Sequence, residues 1–222
     1  MKLLEQYIKH VLFESVERKY KLNTIITKAS QIIINQLKQF FESEDSKLVF
    51  ELNKNDIPEL LELDDLLVTV NIKKVAKLEK DTIIVSASYD DPSNKIELFI
   101  KIQSETNELH PDYILLIKSN LRHELEHTLQ NVKQFLDTSG EQRKKYFEQA
   151  FEIEAHAAEF YYMLRVRGER AGLTKKIFMK LLNLFINSIQ TLKVSDKNKF
   201  KKSLIAYMIE RYPLVNKVMS SG

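Results

Sequence analysis

The chain has no cysteine. Disulfides, thiolate catalysis and cysteine-ligated zinc are excluded together, so any metal site must be built from histidine and carboxylate. Glycine and proline are scarce, four of each in 222 residues. Few loops can be glycine-rich, and long helices should dominate. An excess of charge of one sign is missing too: 34 basic residues nearly balance 31 acidic ones, for a net +3. That balance gives no electrostatic footprint for nucleic acid. The opening "MKLLEQYIKHVLFESVERKY" has no uninterrupted apolar core and no small-residue cleavage site, so it does not read as a signal peptide. The apolar runs elsewhere fall far short of a bilayer span. A soluble chain with no transmembrane segment and no nucleic-acid or membrane partner is expected. Internal repeats and low-complexity segments are absent.

What is present is an ordinary globular composition, 44% hydrophobic and 29% charged, and a length that suits a single domain over 1–222. Residues 1–45 read as two helices broken near Lys21–Asn23. In the second, Ile25, Ile26, Ile32, Ile33, Leu37 and Phe40 form an apolar stripe. Over 46–105 the texture changes to "KLVFEL", "LLVTVNIKKV", "DTIIVSASYD" and "KIELFIKIQ". These are β-branched, roughly alternating segments, the last two joined through a "DDPSN" hairpin turn, and they predict a small antiparallel sheet. Helical periodicity returns over 111–222. Pro111 marks a start, and Gly140, Gly168 and Gly172 mark breaks. Helices, sheet, helices is an α+β arrangement.

Chemistry concentrates in "RHELEHTLQ", residues 122–130. Within the segment 111–136, Leu121, Leu125, Leu129, Val132 and Leu136 make one apolar face. His123 and His127, with Asn120 and Gln130, lie on another. Positions i and i+4 are stacked neighbours on a helix, so the two imidazoles can converge on one ion. Glu124 is turned about 100° from His123, beside such an ion rather than on it, where a general base for an activated water belongs. A charged helix can also produce this spacing by accident, with Glu126 as a solvated spacer. A third ligand discriminates, because catalytic zinc takes three protein ligands and keeps one position open. Downstream, "AFEIEAHAAEFYYML" (150–164) carries Glu152, Glu154, His156 and Glu159 among small alanines. The loop at Thr138–Glu141 would let this helix turn back on the first. Ala155, Ala157 and Ala158 would let the two approach closely.

"HELEH" followed by "EIEAH" resembles the gluzincin zinc metallopeptidases, where two histidines and a glutamate from a later helix bind the metal. The ImmA/IrrE-type proteases and the integral-membrane CAAX-type endopeptidases in that group have a later motif of Glu-x-x-Ala followed by Asp or Asn. Here Glu152 and Ala155 match, and His156 stands in the last place. The resemblance implies a zincin-like fold and Zn2+ held by His123, His127 and Glu152, with Glu124 as catalytic base. Thermolysin-type enzymes place alanine directly after the ligand glutamate, which makes Glu154 the alternative third ligand. Glu152 and Glu154 point about 200° apart on a helix, so both cannot face one ion. Asn120, His156 and Glu159 are the expected supporting groups, His156 conceivably a ligand itself. The likeness covers about residues 95–165. It extends to metallopeptidase-like proteins of bacteriophages, which implies a cytoplasmic or virion-associated location and an assembly partner. By analogy with zincins, Lys95–Gln103 would be the edge strand that pairs with an extended substrate.

The function implied is hydrolysis of peptide bonds in a protein or peptide substrate. Tyr161, Tyr162, Arg165 and His110 are possible donors to the oxyanion. His10, on a charged N-terminal helix, reads as exposed. The basic "KVSDKNKFKKS" reads as a solvated helix start. Two competitors remain: a non-catalytic structural or binding protein, such as a phage virion component, that retains a metal site, and a helical protein with an accidental motif.

Overall fold

A computed structural model describes residues 2–78, 82–90, 92–104, 106, 108–129, 150–189 and 192–221, and for 2–20, 129, 150, 151 and 167–171 the backbone alone. The expectations for His10, Leu129, Gln130, Val132, Leu136, Gly140 and the loop at 138–141 lie outside the described residues and side chains. The protein is α+β, with two compact units, Met1–Leu121 and Arg122–Gly222.

The first unit begins with one helix, α1 (Lys2–Glu42). The break expected near Lys21–Asn23 is absent. No proline or glycine occurs between residues 2 and 42, and without either residue nothing in the chain stops helix propagation. Leu22, Ile25, Ile26, Ala29, Ile33, Leu37 and Phe40 are buried along its inner face. Ile32 sits part-exposed at the margin.

Four strands follow where the alternating segments stand: β1 (Lys47–Leu52), β2 (Leu67–Val75), β3 (Ile83–Asp90) and β4 (Lys95–Gln103). They form one sheet in the order β1-β2-β4-β3. The expected antiparallel sheet is in fact mixed, because β4 pairs parallel with β2 and antiparallel with β3. The reason lies in the side chains. Ile96, Leu98, Ile100 and Ile102 of β4 are all fully buried, which suits a central place. β3 carries Ser86 and Ser88 on its exposed side and tolerates an edge. Register then builds apolar rows across one face. Leu52, Val68, Ile96 and Tyr89 align, as do Phe50, Val70, Leu98 and Ala87. β4 therefore has both edges occupied, which overturns its expected role as an edge strand open to a substrate. The edges are β1 and β3.

The hairpin turn before β4 is pinned by Asn94, which adopts a left-handed φ of 45°. Its side-chain amide donates to the carbonyls of Leu63 and Asp64, each at 2.8 Å. These belong to the end of a short 3-10 helix, Pro58–Leu63, and the residue after it. Lys28 of α1 reaches Glu59 of that helix at 2.5 Å.

Helix α2 (Pro111–Leu129) starts at the expected proline. The second unit contains its C-terminal part, then α3 (Ala150–Ala171), α4 (Lys175–Ser188), α5 (Val194–Arg211) and α6 (Pro213–Ser220). Gly172, at φ +64°, follows α3. Gly168, expected to break the chain, lies inside α3. One internal glycine costs a helix only about 1 kcal/mol relative to alanine, less than the packing of α3 supplies. Phe160, Phe178, Phe185, Phe200, Leu204 and Met208 centre the core of this unit. The basic start of α5 is exposed, as expected. No helix among the described residues is long and apolar enough to cross a membrane.

The sheet's two faces make a stability contrast. Leu98 is fully buried, whereas its neighbour Phe99 is 38% exposed on the other face. Leu98→Ala should lower unfolding free energy by about 2–5 kcal/mol, while Phe99→Ser should cost less, about 1 kcal/mol. Urea denaturation checks this, and equal losses at the two positions would contradict the register.

Candidate metal centre

Two helices of the second unit each offer an i,i+4 pair. α2 presents His123 and His127, and α3 presents Glu152 and His156. All four are buried. The polar atoms converge: His123 Nε2 and His127 Nε2 are 3.1 Å apart. Glu152 Oε1 lies 3.5 Å from His127 Nε2, and Glu152 Oε2 lies 3.8 Å from His123 Nε2 and 3.9 Å from His156 Nε2. Glu152 stands in the first turn of α3, where the positive end of the helix dipole favours a carboxylate.

A second layer fixes the rings. Glu159 Oε2 sits 3.3 Å from His123 Nδ1 and 3.2 Å from His156 Nδ1. A carboxylate at Nδ1 leaves Nε2 as the nitrogen that a metal would take in place of a proton. The electrostatics follow from this contact. Burial pulls the His123 imidazole down, but the hydrogen bond to Glu159 and the charges of Glu159, Glu124 and Glu152 outweigh it and push it up to about 9. Burial raises Glu159, but its hydrogen bonds to His123 and His156 win and bring it down to about 2. His156 is lowered, by burial above all and then by the charge of His123, against the pull of Glu159.

The donors suit a metal. Tetrahedral zinc with bonds of about 2.0–2.2 Å sets its ligand atoms about 3.3–3.6 Å apart. The 3.1 Å and 3.5 Å separations here lie close to that edge, and the others are a few tenths wider. His123, Glu152 and His156 each bring a ligand atom within 4.8 Å of the other two. Glu124, Glu152 and Glu159 also place three carboxyl groups in one buried neighbourhood. A divalent cation at the Nε2 focus would compensate such charge without requiring the rings to be protonated.

The remaining predicted residues fall in different places. Glu124 is buried, and its charge is felt at His123. Glu154 turns away from the imidazoles and accepts a hydrogen bond from Tyr207 at 2.8 Å. Burial, and after it that contact, pushes the Tyr207 phenol well above its ordinary range. Asn120 donates to the Leu116 carbonyl of its own helix at 2.9 Å. Of the possible oxyanion donors, Tyr161 stacks on Tyr212 at 4.2 Å, Tyr162 is half-buried, Arg165 is exposed, and exposed His110 accepts from the Asp112 backbone at the start of α2. Glu126 is no solvated spacer, because it forms a largely buried ion pair with Arg122. The i,i+4 spacing of Arg122 and Glu126 could have suggested that pair. Nothing in the sequence connects Glu154 to Tyr207, 53 positions away.

Compared with protein families, with curated proteins and with solved structures, the chain matches none of them.

Two measurements test this geometry. Zinc uptake by the purified protein should fall at least about 100-fold in affinity in Glu152→Gln and stay within threefold, roughly, in Glu154→Gln. The reverse order would show that the wrong glutamate has been placed at the imidazoles. Stability without metal should also depend on pH. His123 is raised from its ordinary 6.5 to about 9, so its contribution is complete below pH 6.5 and is lost as pH rises through 9. Glu159 is lowered from 4.5 to about 2, so its contribution is complete above pH 4.5 and is lost as pH falls through 2. In chelator, the melting temperature should decline between pH 6.5 and 9, and His123→Gln should flatten that decline. A wild-type curve level across the window would contradict the His123–Glu159 contact.

Proposed function

We propose that the chain is a zinc-dependent peptidase in which His123, His127 and Glu152 hold the metal and Glu124 is the general base. The observation that carries this reading is the convergence of two histidine Nε2 atoms and a buried carboxylate, with Glu124 buried and its charge felt at His123. The likeness of "HELEH" and "EIEAH" to the gluzincin motifs supports peptide bonds as the substrate class.

Zinc in such a site supplies Lewis-acid chemistry, acidifying a water and polarising a carbonyl. Glu124 takes a proton from the attacking water and later delivers it to the departing amine. Its place directly after His123 turns it about 100° from that ligand, so it would serve as a base without being a ligand. Glu159 holds His123 with Nε2 facing inward, so the ring cannot swing between tautomers during turnover. A second reading is a metal-holding structural or binding protein, for example a virion component. The nearness of His156 Nε2 to the same focus favours it, since four protein donors are the pattern of structural zinc.

Glu124→Gln separates the two readings. The variant should retain one equivalent of zinc and cut a mixed peptide library about 10²–10⁴-fold more slowly than wild type. New peptide termini counted by mass spectrometry give the rate. Cleavage at an undiminished rate would remove Glu124 from the mechanism, and a wild type that cuts nothing would leave the structural reading.

A further inference from the structure

Glu159 does more than support the predicted ligand pair. One of its oxygens, Oε2, faces the Nδ1 atoms of both His123 and His156. That oxygen is hydrogen-bonded to His156 Nδ1 and within ion-pair distance of His123 Nδ1, which leaves Nε2 of each ring as the nitrogen a metal would take. Both Nε2 atoms face Glu152 Oε2, at 3.8 Å and 3.9 Å. The far side of His156 is closed by aromatic edges, with Phe200 at 5.4 Å and Phe185 at 6.0 Å between ring centroids. An imidazole with apolar walls behind it and a carboxylate on one nitrogen has its other nitrogen committed to the polar focus. Glu152 and His156 also repeat on α3 the i,i+4 spacing of His123 and His127 on α2. Two helices that each lend two inward donors are a common way to build a metal site inside a helical core.

We propose that His156 is a fourth protein ligand, whose Nε2 occupies the coordination position that a water or substrate carbonyl must enter. The resting site is thus self-capped, and it opens when His156 lets go. This inference rests on metal binding at His123, His127 and Glu152, and it adds a regulatory device to that site.

Cobalt(II) reports it through visible absorption, independently of cleavage. The test uses the full chain loaded with one equivalent of cobalt, with azide as the exogenous ligand. His156→Phe keeps an aromatic ring against Phe185 and Phe200 but removes the donor, and His156→Gln serves as a second variant should the phenylalanine disturb folding. In wild type the spectrum should not move with azide, because no position is open. In the variants azide should shift the bands saturably, and cobalt affinity should drop by more than about 100-fold, beyond what loss of a supporting hydrogen bond produces. A wild-type spectrum that responds to azide as the variants do, or an affinity loss within about 100-fold, overturns the fourth ligand and leaves the peptidase reading intact. Failure of wild type to take up cobalt or zinc at all overturns both.

Discussion

A carboxylate at 1% exposure, faced by three imidazole nitrogens at 3.5–3.9 Å, is the constraint on which residues 122–222 are organised. Burying the charge of Glu152 away from water costs several kcal/mol unless something compensates it. The imidazoles do so only if they are protonated or share a cation, and their positions are set by contacts behind them. Glu159 orients two of the rings. Phe185 and Phe200 back one of these two, His156. Burial of Ala155, Ala157 and Ala158 leaves room along α3 for these larger groups to meet.

Helix α3 therefore has two polar functions on different faces. One, through Glu152, His156 and Glu159, serves the candidate metal centre. The other joins α3 to the C-terminal helices, through the hydrogen bond from Tyr207 to Glu154 and the stacking of Tyr161 on Tyr212. Packing around Phe160 and Phe178 lies between α3 and α4. The site is thus built on packed helices rather than loops, which keeps donor atoms within a few tenths of an ångström of a useful geometry.

Local patterns were legible in the sequence where local chemistry decides the structure. The four strands, the hairpin before β4, the start of α2 at Pro111 and the pairing of His123 with His127 follow from alternation, turn residues and helical spacing. The expected break in α1 failed because a polar stretch is not a helix breaker without glycine or proline. Strand order depended on which strand carries the fully apolar face. Ile96, Leu98, Ile100 and Ile102 held that information, but only pairing with β2 and β3 turns it into a central, parallel position. Glu152 and Glu154 could not be separated by spacing alone, since both lie on α3. Their difference comes from Tyr207, far along the chain. His156 and Glu159 were visible as polar residues near the site. The single Glu159 oxygen that faces both rings is a tertiary fact.

X-ray absorption at the zinc edge of the full chain, loaded with one equivalent of zinc, tests the central claim most directly. The account predicts a shell of nitrogen and oxygen alone at about 2.0–2.1 Å, four-coordinate, with the outer scattering pattern of imidazole rings. A six-coordinate hydrated ion without ring scattering, or a chain that retains no zinc after desalting, would contradict it.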